Sequence, residues 1–494
     1  MDDHDSQEAT TWTIRQKNAM AALLAIIFLF QVVMLRRGND WGGDFAMYLN
    51  QARNVVNFHD MSDTGYVYNP DAPVIGPRVY PPLYSVFLAP IYAIFGADYQ
   101  VLKIAMVVLM VGTLTLCAGL FSRQLTPGYT FALIALIGFC PIFWKFNHDI
   151  ISEHLFVLFW MLAMWLYERE RENTEQPTDR FGSAVLMGLV VYLAIGTRTV
   201  GIVLPPALIL TELIRYRRIT RYMLVSVGSA VIFYVVQKLL LPSGGSGYMD
   251  QVSQISVDTI LYNLYADGGS FTHVWDNNIE IRNAEKVARL SGIFFSLIAI
   301  YGALRANAAR FQFLFVASIL YFILIVIWPG ASWDRMIWPL YPGFIAWLLY
   351  AFQSLSWSQN VRTALVVPML LYTFGCYGVY YINSDYSRIP GPEDATAQEM
   401  FSEVDRRLAK DEVCLFFKPR VMAFYLRRPS IGYPIDLTEA SLERTIHDHD
   451  VHLAVTRSED EPEVPELLAK EGFTQVWSNA EFQIWLPATE PPLP

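Results

Sequence analysis

The chain has 494 residues and a formal net charge of −10, with 54% hydrophobic, 14% aromatic and only 17% charged residues and a mean hydropathy of +0.30. It is too apolar for an ordinary water-soluble protein and reads as an α-helical polytopic membrane protein. No basic run interleaved with aromatics is present, which excludes nucleic acid as a partner, and Cys117, Cys140, Cys376 and Cys414 offer neither a disulfide framework nor a metal-type pair.

The first apolar span covers residues 18–35, enough at about 1.5 Å per residue to cross most of a roughly 30 Å hydrocarbon layer. Arg36-Arg37 follows it rather than a small-residue cleavage site, so it reads as a retained anchor. Gly42-Gly43-Asp44-Phe45-Ala46-Met47-Tyr48 comes next, at the far interface. Asp40 and Asp44 are four positions apart and in a helix would share one face with Tyr48. Asp44 reads either as the cap of a short interfacial helix, since Asp accepts backbone N–H bonds well there, or as a catalytic acid/base residue. Residues 44–58 predict an amphipathic interfacial helix with Phe45, Tyr48, Leu49, Ala52, Val55 and Val56 on its apolar side. Tyr80-Pro81-Pro82-Leu83-Tyr84 then opens an apolar run to Phe95, short for a crossing and expected to dip into the interface or lie along it.

Further spans are expected at 100–121, 128–143, 152–167, 182–197, 199–214, 222–241, 287–304, 311–328, 336–353 and 363–383, about eleven in all. Arg123, Arg169, Arg171, Arg180, Arg215, Arg217, Arg218, Arg221, Arg305, Arg310 and Arg362 fall on one side by alternation. The positive-inside rule makes that side, and the N terminus, cytoplasmic. Arg36, Arg37, Arg53 and Arg78 lie on the external side and run against this bias. The expected division is a cytoplasmic tail over 1–17, a transmembrane domain over 18–383 with a structured external loop at 38–99, and an extracytoplasmic α/β domain over 384–494.

In that last segment, strands are expected at Val413 to Phe417, Val451 to Val455, Phe473 to Trp477 and Phe482 to Trp485. Helices are expected at Arg420 to Leu426, Leu437 to His447 and Glu463 to Lys470. The segment carries no phosphate-binding glycine fingerprint and no nucleophile motif; its expected duty is to roof a site or select an acceptor.

Four polar groups sit at or near the external ends of spans. They are Asp40 with Asp44; the run Asn147 to His154, containing His148, Asp149, Ser152 and Glu153; Thr197-Arg198-Thr199; and Ser332-Trp333-Asp334-Arg335. An ionised side chain buried in lipid costs at least about 2.5–3.5 kcal/mol, so each group should face water, protein or a partner charge. Singly, they read as interfacial charges that pair with one another. Together, carboxylates from two loops and arginines from two others describe a cavity for an anionic lipid phosphate beside a reacting hydroxyl, because the planar arginine fork binds phosphate bidentately. The same residues lining a path would suit a membrane transporter or lipid flippase, and the broken span at Thr197-Arg198-Thr199 fits that too. Against it, no two-half inverted repeat is evident and the charges gather on one side. A third reading is a non-catalytic assembly or sensor protein that works through its tail.

The order of landmarks is Gly42-Gly43-Asp44-Phe45-Ala46-Met47-Tyr48, Tyr80-Pro81-Pro82-Leu83-Tyr84, Ser152-Glu153, Thr197-Arg198 and Asp334-Arg335-Met336-Ile337-Trp338-Pro339. It resembles the GT-C superfold of polyprenyl-phosphate-sugar-dependent glycosyltransferases, which includes the protein O-mannosyltransferases and the lipid A aminoarabinose transferases. The resemblance covers about residues 18–383, and the α/β tail is similar to that of many bacterial members. It implies a multi-pass enzyme of the bacterial inner membrane with its C-terminal domain periplasmic or extracellular. Such an enzyme moves a sugar, with inversion, from a polyprenyl-phosphate donor to an extracytoplasmic glycolipid, glycan or protein acceptor. By the same resemblance the first-loop acidic position falls on Asp44, the second on Glu153 with Asp149 competing, and the basic residue before a late span on Arg335. Arg198, Tyr48 and Tyr80 join Arg335 and Glu153 as expected donor-phosphate or substrate contacts. The O-mannosyltransferases carry an Asp-Glu pair at the first site where this chain has Asp44-Phe45, which argues against a protein mannosyltransferase. As a metal set, Glu153, Asp149 and His148 would take a divalent cation (Mg, Mn or Ca). Their spacing matches no strong zinc motif, and imidazoles near an interface commonly only hydrogen-bond.

Overall fold

Each expected span falls on a helix, or on a helix interrupted at a proline or a polar residue. The computed structural model describes residues 12–172, 181–241, 255–276, 284–307, 312–329, 334–457 and 463–488; Arg180, Arg310, Ser332 and Trp333, named above, lie outside the described residues. Helix α1 (Ile14–Val33) opens with a capping box in which the Thr13 hydroxyl accepts from the Gln16 backbone and the Gln16 side chain accepts from the Thr13 N–H. Two helices of the first loop follow, α2 (Gly43–Val56) and α3 (Pro82–Phe95). Then come α4 (Tyr99–Phe121), capped by Asp98, α5 (Pro127–Gly138), the short α6 (Pro141–Phe146), α7 (Glu153–Glu172), α8 (Phe181–Thr197), α9 (Leu204–Tyr216) and α10 (Arg221–Leu240). The membrane part closes with α11 (Val257–Asp276), α12 (Ala284–Asn307), α13 (Gln312–Ile327), the one-turn α14 (Asp334–Ile337), α15 (Tyr341–Gln353) and α16 (Gln359–Asn383).

Among the described residues six helices are long and apolar enough to cross a membrane, against the eleven spans expected from hydropathy. Several expected spans are broken rather than continuous. Residues 128–143 split between α5 and α6, where Pro141 takes the first position of the new helix and needs no backbone donor. Residues 199–214 begin as a 3-10 turn (Thr199–Val203) before α9, and Arg198 itself is extended at φ −144, ψ 134. Residues 336–353 pass through α14 and a 3-10 turn at Trp338–Leu340 before α15. Non-helical backbone at such places is tolerated where it faces protein or a cavity, and each of the last two breaks presents an arginine.

One apolar cluster fills the helical bundle, from Met20 and Ile27 of α1 through Phe156 and Trp160 of α7 to Tyr341 and Trp347 of α15. Outward faces such as Leu239 and Leu240 on α10, Leu297 on α12 and Leu371 on α16 are exposed, as a lipid-facing surface requires. At Gly302 the bundle is too close for a side chain, since a Cβ there would collide with the Trp347 carbonyl.

The small C-terminal unit holds α17 (Ala395–Arg407), β1 (Val413–Phe416), α18 (Pro419–Leu426), β2 (Ser430–Ile431), α19 (Glu439–Asp448), β3 (Val451–Arg457), α20 (Val464–Lys470), β4 (Phe473–Ser478) and β5 (Phe482–Pro487). The sheet order is β2-β1-β3-β5-β4; β1 is parallel to β2 and β3, while β5 runs antiparallel to β3 and β4. Alternation along the strands gives the sheet two apolar faces. Leu415, Ile431, Ala454 and Trp485 pack with Leu442 and Ile446 of α19 and Leu468 of α20. Cys414, Phe416, Leu453, Val455 and Ile484 instead share one core with Trp41, Phe45 and Leu49 of the first loop and Leu102 and Met106 of α4. The first loop is thus sandwiched between bundle and sheet. This corrects the expected interfacial helix: Asn50, Gln51 and Asn54 are buried along with Phe45, Tyr48, Leu49 and Ala52, while Val55 and Val56 are half-buried. Two of the arginines that run against the charge bias find a reason here, since Arg36 pairs with Asp385 at 3.2 Å and Arg53 donates to the Phe424 carbonyl at 3.3 Å.

Candidate active site

Asp44 lies in the first turn of α2, where the exposed amides of a helix N-terminus favour negative charge. It does not cap that helix. The cap residue is Gly42, whose N–H donates to Asp40 Oδ1 at 2.9 Å, so Asp40 closes the turn before the helix instead of sharing a helical face with Asp44 and Tyr48. The Asp44 carboxylate receives three donors: Tyr80 OH at 2.6 Å on Oδ1, Arg335 Nη1 at 2.9 Å on Oδ2, and Arg420 Nη1 at 3.4 Å on Oδ1. Burial pushes its pKa up, but Arg335, Arg420 and the Tyr80 hydroxyl outweigh burial and hold the carboxyl well below the usual carboxylate range.

Glu153, only 2% exposed, opens α7; its Oε1 is 2.6 Å from Arg198 Nη1 and 3.6 Å from Arg335 Nε. Arg198 also donates to Ser152 Oγ at 3.3 Å, and Ser152 Oγ accepts from Tyr48 OH at 2.8 Å. The Tyr48 ring stacks on Tyr80 at 4.8 Å. Asp44, Tyr48, Tyr80, Glu153, Arg198 and Arg335, all singled out from sequence, therefore form one connected cluster. Its charge is unbalanced, with three guanidinium groups (Arg198, Arg335, Arg420) against two carboxylates (Asp44, Glu153).

The cluster borders a cavity of about 690 Å³, lined among others by Asp40, Asp44, Asp149, Asp334, Arg335, Lys418 and Arg420. Asp334 Oδ1 accepts from His273 Nδ1 at 2.8 Å. Burial first, and the neighbouring Asp40 charge second, raise the Asp149 carboxyl to about 7.

The expected metal set does not converge. The Arg36 N–H donates to His148 Nε2 at 2.9 Å, which leaves Nδ1 as the ring donor to the Trp144 carbonyl at 2.8 Å, and burial lowers the ring to about 4. Both nitrogens are engaged, so His148 offers no ligand atom. Glu153 is taken up by its two arginines. Among the described residues the one grouping with ligand atoms close enough to share an ion is Glu443, His447 and Glu471 on the outer surface of the C-terminal unit. Of the carboxylates lining the cavity, Asp40 and Asp149 form no ion pair among the described residues, with Asp40 Oδ1 accepting from the Gly42 N–H and Asp334 paired with His273.

Arg420 was not marked by the sequence reading. It sits in the second position of α18, inside a segment read as a plain helix of the tail, and nothing local announces that the tail folds back onto the first loop.

The sequence model of glycosyltransferase family 87 matches residues 79–259, a stretch that includes Tyr80, Glu153 and Arg198. No curated protein sequence matches the chain. In fold it is similar to ArnT from Cupriavidus metallidurans in the apo state, at 13% identity and a TM-score of 0.57, over 95% of this chain and 98% of that one. The same ArnT bound to undecaprenyl phosphate is similar at 13% identity and 0.55, over 94% and 96%. The Archaeoglobus fulgidus oligosaccharyltransferase in complex with Zn and sulfate is similar at 12% identity and 0.60, over 94% of this chain and 73% of that one. At these identities the likeness establishes the GT-C fold. Together with the family 87 match it defines the class, a multi-pass membrane glycosyltransferase with a small C-terminal α/β unit.

Proposed function

We propose that the chain transfers a sugar from a polyprenyl-phosphate donor to an acceptor hydroxyl in the cavity beside Asp44. The observation that carries this reading is the placement of Asp44 beside Arg335 at the cavity wall, with the Arg335 guanidinium about one-third exposed there. Such a planar fork binds an anionic phosphate, and one of the fold's relatives holds undecaprenyl phosphate. The reading extends to topology: N terminus cytoplasmic, with residues 384–494 and the cavity on the external face of a bacterial inner membrane.

In the proposed step the acceptor oxygen attacks the anomeric carbon from the face opposite the phosphate. The new C–O bond forms as the bond from that carbon to the phosphate oxygen breaks, which inverts the centre. The acceptor proton passes to Asp44, and the polyprenyl phosphate departs as an anion held by Arg335 and Arg198. Between two arginines Asp44 is a weak base. Donor phosphate engaging Arg335 removes one of these cations and restores basicity where it is used. Tyr48 and Tyr80 stack on each other behind Asp44, and Tyr80 holds the carboxylate through its hydroxyl. Asp40 and Asp149 are the side chains that would hold a divalent cation, which would supply further neutralisation of phosphate charge; activity unchanged by exhaustive chelation would remove an exchangeable ion from the scheme.

The deciding experiment measures labelled sugar leaving extracted polyprenyl-phosphate donors in membranes containing wild-type or Asp44→Ala protein, with folding matched by thermal melts. Transfer by wild type alone supports the reading, and the labelled product identifies the acceptor class. Equal transfer by both would remove Asp44 from the chemistry.

A further inference from the structure

The C-terminal unit does more than cover the cavity. Arg420 is 2% exposed, and its guanidinium lies between the rings of Tyr66 at 4.9 Å and Tyr80 at 4.7 Å. Nη2 donates to the Pro77 carbonyl at 3.0 Å, while Nη1 donates to Tyr80 OH at 2.5 Å and reaches Asp44 Oδ1 at 3.4 Å. Tyr80 thus accepts from Arg420 through its oxygen and donates its own proton to Asp44 at 2.6 Å. A charge on the acceptor side of a hydroxyl polarises it and strengthens the bond it donates, so Arg420 acts on Asp44 more strongly through the two short hydrogen bonds of Tyr80 than through its own longer contact.

The backbone around this contact leaves the guanidinium little room. Gly76 has φ +103, and a Cβ there would come within 2.6 Å of Arg420 Nη2. The loop is in turn fixed to the sheet. Val67 N–H donates to the Ser430 carbonyl and Ser430 N–H to the Gly65 carbonyl, both at 2.9 Å, and Asn69 Nδ2 donates to the Gly432 carbonyl at 2.9 Å. The first loop is bonded alongside β2, at the edge of the sheet that precedes and follows α18. The orientation of Asp44 is therefore set from residues 376 positions away.

We propose that Arg420 is a positioning residue for the transfer reaction, acting through Tyr80 to aim the Asp44 carboxylate, so that the C-terminal unit completes the active site. This rests on the reading of Asp44 as the acceptor's base. Arg420 lies opposite Arg335 across the carboxylate, and its shorter contacts go to Tyr80 and Pro77, so its removal should impair the turnover step more than donor capture.

The test is steady-state transfer from extracted polyprenyl-phosphate sugar by full-length Arg420→Gln, Arg420→Lys, Tyr80→Phe and the Tyr80→Phe/Arg420→Gln double variant. Rates are normalised to folded protein from thermal unfolding. The expected result is a kcat lowered about 10- to 100-fold in Arg420→Gln with donor KM within about twofold of wild type. Arg420→Lys recovers part of the loss, and the double variant is no slower than the slower single variant, because both act on one path. If Arg420→Gln does not fold, a kcat loss in Tyr80→Phe that Arg420→Lys shares carries the same conclusion. Wild-type kcat in Arg420→Gln or in Tyr80→Phe, a loss confined to KM, or losses that multiply in the double variant would overturn the proposal. Asp44→Asn, assayed alongside, separates the two levels: wild-type turnover there rejects the base itself, whatever Arg420 does.

Discussion

Arg335 Nη1 lies 2.9 Å from Asp44 Oδ2, joining residues 291 positions apart, and the same guanidinium reaches Glu153 Oε1 through its Nε at 3.6 Å. One planar cation therefore bridges the carboxylates at the starts of α2 and α7. It stays about one-third exposed on the cavity side, where an incoming anion can reach it. Phosphate binding by this fork predicts that Arg335→Gln raises donor KM about tenfold or more, while Arg335→Lys restores part of it as a point charge without the bidentate geometry. Initial rates against donor concentration in detergent micelles read this directly. A wild-type KM in Arg335→Gln would remove Arg335 from donor binding.

Glu153 is buried, and Arg198 at 2.6 Å is its nearer cation. Truncating one partner of such a pair leaves a charge in a place that cannot solvate it, at a cost of about 3–5 kcal/mol in typical buried pairs. Arg198→Met should accordingly lower the unfolding temperature far more than Arg198→Met combined with Glu153→Gln, in which neither charge remains. Equal destabilisation by the single and double variants would show that Arg335 alone satisfies Glu153.

The helices, their approximate limits and most of the site residues were legible in the sequence, because apolar runs, prolines and charges at span ends each have a local physical cause. Glu153 opening α7 and the arginines at the two helix breaks are of this kind. The departures arise where long-range packing decides. Asp40 left the helix because the turn at Gly42 uses its carboxylate; β2 is two residues long and signals nothing; α17 went unassigned; and Arg420 acquires its role only when the sheet closes on the first loop. His148 has the composition of a ligand, yet a backbone N–H from Arg36 and the Trp144 carbonyl take both of its nitrogens. Sequence proximity to carboxylates could not show that.

Trp41 measures how far the C-terminal unit and the first loop form one body. Its ring meets Phe401, Phe416, Phe417 and Phe482 at centroid separations of 6.2, 5.9, 5.5 and 5.7 Å, three of them on the sheet or beside it and one on α17. Trp41→Ala should cost about 3–5 kcal/mol, the usual range for emptying such a site, and should loosen both elements together. Hydrogen exchange would show it as lost protection in α2 and β1 alike. Loss confined to α2 would mean that the sheet stands without this contact.

Asp149 should give the chain a pH-dependent stability of recognisable sign. Burial and the nearby Asp40 charge raise its carboxyl from 3.8 to about 7, with Arg335 and Lys103 opposing them. Between these two values the native chain keeps a proton that the unfolded chain has released, so unfolding is linked to proton loss. The sign follows directly: this group's contribution is fully present below about pH 4, declines as pH rises toward 7, and is gone above that. Asp149→Asn holds a neutral side chain of the same size at every pH and removes the dependence. Its unfolding temperature should match wild type near pH 4 and exceed it at pH 8, and the difference between the two proteins isolates Asp149 from every other titrating group. Thermal unfolding of detergent-solubilised protein between pH 4 and 9 makes the measurement. Parallel curves would mean that Asp149 is ionised throughout and that its charge is already matched by Lys103 and Arg335.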